Sequence, residues 1–298
     1  MKVRIGTRRS RLAMAQAEEV AARLRANGIG AELVPFVTSG DRGSPAAASP
    51  AGVKGLFVHE IVRALQDGVV DLAVHSAKDL PSEDPEGVVV AAIPERADPF
   101  DMLVTMGGDV PAGGTVGTSS LRRRAQLARA RPDLDVVEVR GNVDTRLRKL
   151  EAGVVDGLVL AAAGLGRLGI APPASFPIPL DDMVPAPGQG ALAVQARARH
   201  SEVLEAAHAL DHPPSRTAFE AERLVMASLG GGCALPLGAY AEARSEGVRL
   251  LAVVVRPDGS DVAWAQAEAD SAEAVAAEVT ETLRAGGADA ILAEVRAS

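Results

Sequence analysis

The feature that most constrains this chain is a succession of short, unbroken apolar segments set among amphipathic ones. Candidate strands are VRIGT (3–7), AELVPFV (31–37), DLAVHSA (71–77), GVVVAAI (87–93), DMLVTM (101–106), TVGTS (115–119), DVVEVR (135–140), GLVLAAAG (157–164) and ALAVQAR (191–197). Helical patterns fall between them near 11–27, 57–67, 120–130, 142–152 and 201–210. Val/Leu/Ala runs without polar alternation suit sheets covered on both faces. This predicts an α/β architecture with largely parallel pairing.

Composition shifts at PERADPFD (94–101), VPAPGQG (184–190) and DHPP (211–214) mark boundaries. Because ALAVQAR would return the chain to its first unit, the expected domains are 1–95 with 191–210, then 96–190, then 211–298. The last is a small α+β unit with VRLLAVVV (248–255), a PDGS turn, DVAWAQAEA (261–269) and a helix from Ser271. Two α/β lobes joined by two crossovers form a hinged cleft, a favoured place for ligands. Residues 39–53, SGDRGSPAAASPAGV, hold twelve Gly, Ser, Pro or Ala in fifteen and read as a lid or an insertion.

Composition narrows what the cleft binds. The net charge of −8 argues against a polyanion binder, and seven aromatics in 298 residues disfavour a stacking platform for single-stranded nucleic acid. A single cysteine excludes an internal disulfide framework, and no metal site is expected. No apolar run reaches the ~18 residues that span a bilayer, and MKVRIGTRRSRL has no signal-peptide core, so the expectation is a cytoplasmic protein away from membranes. Within this acidic chain, residues 117–149 carry nine cations against four acids, and residues 1–15 carry five cations and no acid. Two basic patches in an acidic protein point to a local anion site.

Three strand-to-helix junctions carry these cations. In GTSSLRRRAQ (117–126), Thr118, Ser119 and Ser120 offer caps to a helix flanked by Arg122 and Arg123. In VRGNVDTRLRKL, Arg140 ends a strand, Asn142 can cap and Arg146 projects from the next helix. In GTRRSRLAMAQ, Arg8 precedes Ser10 as cap. Helix N-termini favour anions, and strand carboxyl ends line the cleft of open α/β sheets.

Two further segments carry chemistry. HSAKDLP (75–81) places Lys78 beside Asp79 after a buried strand, where a carboxylate either stabilises positive charge or caps its own turn; His75 reads as a packed strand residue. Cys233 in LGGGCALPLG follows a helix near 215–228, and three glycines leave its thiol open as a nucleophile or an attachment point, or else it fills a packed loop.

In order along nearly the whole chain, TRRSRLAMAQ, VTSGD, KGLFVHE, DLAVHSAKDLP, RADPFD, VGTSSLRRRAQ, VRGNVDTRL, LAAAGLGRLG, PAPGQGAL, AER and GGCALPLGAY resemble the hydroxymethylbilane synthases, or porphobilinogen deaminases. The resemblance implies two periplasmic-binding-protein-like α/β domains with a hinged cleft and a small third domain. It also implies head-to-tail joining of four porphobilinogens with loss of ammonia, then release of a linear tetrapyrrole by water. Cys233 would hold a dipyrromethane cofactor by a thioether, and Asp79 would contact pyrrole nitrogens. Lys78, Ser119, Arg122, Arg123, Arg140 and Arg146 would bind the cofactor's acetates and propionates, and Arg8, Ser10, Arg140, Arg146 and Arg167 those of the substrate. The expected partner is porphobilinogen alone, acting on a monomer. The chain departs from the family pattern at the end of the 39–53 loop, where Lys54 stands without a second lysine and Val53 replaces the usual glycine. The competing reading is a non-catalytic, two-lobed protein that binds a small anion, which leaves Cys233 unexplained. A phosphate-dependent transferase is disfavoured because no Walker-type loop follows any strand.

Overall fold

The computed structural model describes residues 1–37, 53–231 and 235–297, with residues 53–57 described by backbone alone. The chain opens with β1 (Lys2–Arg8), α1 (Arg11–Ala26), β2 (Gly30–Phe36), α2 (Val53–Gln66), β3 (Leu72–Ser76), a 3₁₀ turn (Ala77–Asp79) and β4 (Val88–Ala92). It continues through β5 (Asp101–Thr105), β6 (Thr115–Gly117), α3 (Leu121–Ala130), β7 (Asp135–Val137), α4 (Val143–Glu151), β8 (Gly157–Ala161), α5 (Ala162–Leu168) and β9 (Ala174–Pro177). Then come β10 (Leu192–Arg197), α6 (Ser201–His208), α7 (Pro213–Ser228), β11 (Leu237–Arg244), β12 (Gly247–Val255), β13 (Val262–Ala269), α8 (Ala272–Ala285) and α9 (Ala288–Ala297).

These strands form two five-stranded sheets, ordered β2-β1-β3-β10-β4 and β7-β6-β8-β5-β9, and a three-stranded sheet, β11-β12-β13. The two larger sheets repeat one pattern. In each, the first three strands pair in parallel, and the fourth runs antiparallel to both of its neighbours. The expectation of largely parallel pairing is therefore corrected to an even mixture. The antiparallel strands, β10 and β5, are those that arrive by a crossover from the other sheet. They are free of the helix-return geometry that makes βαβ strands parallel.

The unbroken apolar runs have the cause expected of them. Leu72 and Val74 of β3 pack with Val20 and Leu24 of α1 and Val203 of α6, while Ala73, on the opposite face, packs with Ile61 and Leu65 of α2. Both faces are covered, so polar alternation is absent. The third sheet is an antiparallel meander. One face packs on α7, α8 and α9 through Val225, Val279 and Leu292, and the other presents Leu251 and Val253 to Ala125 of α3.

Local differences from the sequence reading are few. Residues 162–164 begin α5 instead of extending β8, because alanine serves a helix at least as well as a strand. Strand β7 stops at Val137, leaving Arg140 three residues beyond it. Strand β11, LGAYAEAR, was not foreseen: its small residues have little strand preference of their own, and pairing along β12 makes it a strand.

Candidate active site

The repeated sheet pattern puts the predicted side chains at matching places. Arg8 ends β1, and Ser10 caps α1 by accepting from Ala13 N at 3.3 Å. At the corresponding junction of the other sheet, β6 leads to Ser120, which caps α3 through Arg123 N at 3.5 Å. Strand β3 leads into the turn with Lys78 and Asp79, and its counterpart β8 leads into α5 with Arg167. Asn142 caps α4 by accepting from Thr145 N at 2.8 Å. The two sheets meet where these junctions lie: Arg11 at the start of α1 bonds Asp144 at the start of α4 at 2.9 Å.

Arg122 and Arg123 are not presented to solvent. Both are buried and share the fully buried Asp101, Arg122 through Oδ2 at 2.7 Å and Arg123 through Oδ1 at 2.6 Å. Arg122 also donates to Val184 O and Arg123 to Val159 O. The sequence placed both arginines beside a helix N-terminus suited to an anion; in the fold their guanidiniums turn to the sheet and share an internal counter-ion. Burial alone would raise the Asp101 carboxyl; the two guanidiniums outweigh it and hold the group well below the usual carboxylate range. One carboxylate balances only one of them, and a positive charge remains.

Arg146 stands beside that surplus. Its guanidinium donates to Gly141 O at 2.8 Å and to the exposed Ser119 Oγ at 3.0 Å, and among the described residues no carboxylate pairs with it. Burial, with repulsion from Arg123, pushes it down to about 10. Arg140 is exposed and bonds Glu138 at 2.7 Å. Arg167 is engaged already: its Nε donates to Glu19 at 2.9 Å and its Nη2 to Gly190 O at 3.0 Å, so it braces α5 against α1 and the crossover. Reaching a ligand would require it to leave both.

Arg8, His75 and Asp79 share one electrostatic neighbourhood. Burial pushes His75 down to about 4, with Asp79 opposing the shift and Arg8 adding to it. His75 is a packed strand residue, as the sequence suggested. Lys78 donates to Gln189 at 3.3 Å.

Cys233 lies outside the described residues. The chain leading to it passes Ser82, three residues after Asp79. Gly231 has φ +55°, a left-handed conformation that favours glycine, and a Cβ there would lie 2.4 Å from the Ser82 hydroxyl. Arg223 of α7 clamps the same segment through Asp84 at 2.9 Å and Pro81 O at 3.2 Å. The sequence reading missed Asp101 and Gln189. A carboxylate opening a buried strand was the available signal for the first, and the polar residue inside PGQG for the second.

The chain matches the family model described as "Porphobilinogen deaminase, dipyromethane cofactor binding domain" over residues 3–205, and "Porphobilinogen deaminase, C-terminal domain" over 217–285. The chain belongs to the porphobilinogen deaminase family. A porphobilinogen deaminase of Desulforudis audaxviator is 47% identical over 307 residues, covering 99% of this chain and 98% of its own. One of Rubrobacter xylanophilus is 47% identical over 296 residues, covering 98% and 97%. Membership in the porphobilinogen deaminases carries the hydroxymethylbilane synthase activity, a transferase reaction, that the motifs implied, and the non-catalytic anion-binding reading is not favoured. Among the described residues no helix is long and apolar enough to cross a membrane.

Proposed function

We propose that the cleft between the two five-stranded sheets binds the acetate and propionate groups of porphobilinogen and its growing chain, and that Asp79 stabilises the positive charge of the reaction. The observation that carries this reading is Arg146, a half-buried guanidinium next to a second cation and without a carboxylate of its own among the described residues. A ligand carboxylate would supply the missing counter-ion as a forked, charge-assisted contact. Arg8, Ser10, Lys78, Ser119 and Arg140 complete the set, while Arg122 and Arg123 contribute the buried charge that Asp101 leaves unbalanced.

The same residues fit a covalent dipyrromethane on Cys233. Such a group brings several carboxylates, the site holds surplus cations, and Gly231, two residues before Cys233, lies against Ser82, three residues after Asp79. A bound dipyrromethane would supply the pyrrole carbon from which the chain is extended. The protein's part follows from charge. The Asp79 carboxylate would lower the barrier to loss of ammonia by stabilising the pyrrolic cation left behind and by accepting hydrogen bonds from pyrrole N–H groups. The arginines hold the carboxylates and so fix where the reacting carbons meet. We also take the sheets with their helices as three domains with bounds 1–95 with 191–210, 96–190 and 211–298, supported by their separate cores. One chain supplies every assigned residue, so a monomer suffices.

The test is single-turnover release of ammonia at saturating porphobilinogen, using protein whose intact mass includes the dipyrrole that Cys233→Ser should lack. Asp79→Asn keeps size but loses charge, and turnover is expected to fall by at least two orders of magnitude while Asp79→Glu retains a residue of activity. Release by Asp79→Asn at the wild-type rate would show that this carboxylate only shapes its turn.

A further inference from the structure

The PGQG segment, marked in the sequence only as a boundary, has a more specific place in the fold. Gln189 is 1% exposed, and its side-chain amide is used at both ends. Its Oε1 accepts from Lys78 Nζ at 3.3 Å, while its Nε2 donates to Pro99 O at 2.7 Å and to Asp101 Oδ1 at 2.9 Å. Gln189 lies on the crossover that returns from the second sheet to the first, and Pro99 lies on the outgoing crossover. A single side chain thus ties together the outgoing connection, the turn bearing Asp79, and the carboxylate that anchors Arg122 and Arg123.

The backbone around it is built for close approach. Gly188 has φ +73°, and a Cβ there would lie 3.0 Å from both Ala77 C and Lys78 N, so the crossover rests directly on the 3₁₀ turn. Gly188 N donates to Glu222, and Arg96 donates to Gln189 O at 2.8 Å while gripping Glu222. The amide side chain therefore stands on a rigid support.

We propose that Gln189 is a positioning residue for the transferase reaction, setting the Lys78–Asp79 turn relative to the Arg122–Arg123 cluster across the hinge. This rests on the reading of Asp79 and the arginines given above. The chemistry of an amide suits the place. It accepts from a cation and donates to a carboxylate at once, and being neutral it leaves the balance between Asp101 and the arginines undisturbed. A carboxylate at 189 would accept from Lys78 but have nothing to donate to Asp101 or Pro99 O, and would set two negative charges side by side. A methionine would fill the space and make none of the three bonds.

If Gln189 positions rather than binds, removing its bonds leaves the ligand-holding arginines, which carry most of the binding, in place and shifts the Lys78–Asp79 turn with its charge-stabilising carboxylate. Small displacements of a reacting group cost rate far more than affinity. The experiment measures kcat and KM for porphobilinogen with Gln189→Met and Gln189→Glu, each normalised to molecules that carry the dipyrrole by intact mass. Fluorescence-detected thermal unfolding and the loaded fraction are recorded in parallel. We expect kcat to fall at least tenfold in both variants with KM within about threefold of wild type. A kcat within twofold of wild type in Gln189→Met overturns the proposal, even with a lower melting temperature, because it leaves Gln189 a purely structural residue. So does full activity in Gln189→Glu, which would mean that contact with Lys78 alone suffices, and so does a loss confined to KM. If one variant does not fold, the other applies the same criteria, and Gln189→Asn, which keeps the amide but shortens its reach by a methylene, replaces it. Asp79→Asn is assayed alongside: wild-type turnover there defeats the reading of the site itself, whereas failure of the Gln189 variants alone defeats only the positioning role.

Discussion

Asp101→Asn is the perturbation whose cost the structure specifies most closely. The carboxylate is fully buried between guanidiniums that are 4% and 7% exposed, and it receives further hydrogen bonds from Arg123 Nε at 3.1 Å and Gln189 Nε2 at 2.9 Å. Asparagine preserves shape but leaves two buried cations without a counter-ion and turns an NH₂ toward donors. Removing one partner from a buried ion pair costs about 3–5 kcal/mol. At roughly 2–4 °C per kcal/mol for a chain of this size, the melting temperature should fall by roughly 6–20 °C. Arg122→Met is the informative comparison, because it leaves one carboxylate facing one guanidinium. Gln126 Nε2 still donates to Val184 O at 3.1 Å, and among the described residues Arg122 Nε has no hydrogen bond to lose. That variant should cost about 1–2 kcal/mol. Urea unfolding followed by circular dichroism at neutral pH measures both. Equal costs, or a larger one for Arg122→Met, would refute the view that charge balance around Asp101 governs this cluster.

One substitution separates ligand binding from folding, and a second tests the pH dependence of stability. Arg146→Leu removes a cation that burial already disfavours, so stability should change by less than about 1 kcal/mol, while KM for porphobilinogen rises by roughly one to two orders of magnitude; Arg146→Lys should recover part of it, and an unchanged KM in the leucine variant would remove Arg146 from the ligand site. His75 titrates at about 4 in the fold against its ordinary 6.5, so the unfolded chain binds the extra proton between those values and stability falls as pH drops from 6.5 to 4. The loss should reach about 3 kcal/mol at pH 4, and His75→Gln should flatten it; parallel pH profiles of unfolding free energy for the two proteins would show that His75 is not the source.

What the sequence determined by itself was local or cumulative. Ser10, Ser120, Asn142 and Ser271 all cap the helices that follow them, because a cap acts on an N–H three residues ahead and needs no partner from elsewhere. The apolar runs became strands for the equally local reason that a strand buried on both faces tolerates no polar alternation. The order of motifs, too long to match by chance, marked the family.

Tertiary structure alone decided how those pieces face one another. Nothing in the sequences of β5 and β10 says that they run antiparallel to their neighbours; the crossovers that deliver them do. The shared strand pattern of the two sheets has no repeat in sequence to announce it, because strand order constrains burial and direction but not residue identity. Arg122, Arg123 and Arg146 look alike in a basic helical stretch, and only folding gives the first two a carboxylate while the third has none among the described residues. Asp101 lies 21 and 22 residues from its arginines, and Gln189 reaches Lys78 across 111. Such pairs are chosen by where a backbone of buried strands and crossovers brings side chains together, and low dielectric then makes the choice matter: the same arginine is a core brace, a strut between elements or a half-buried cation without a carboxylate among the described residues, according to which charge the fold sets beside it.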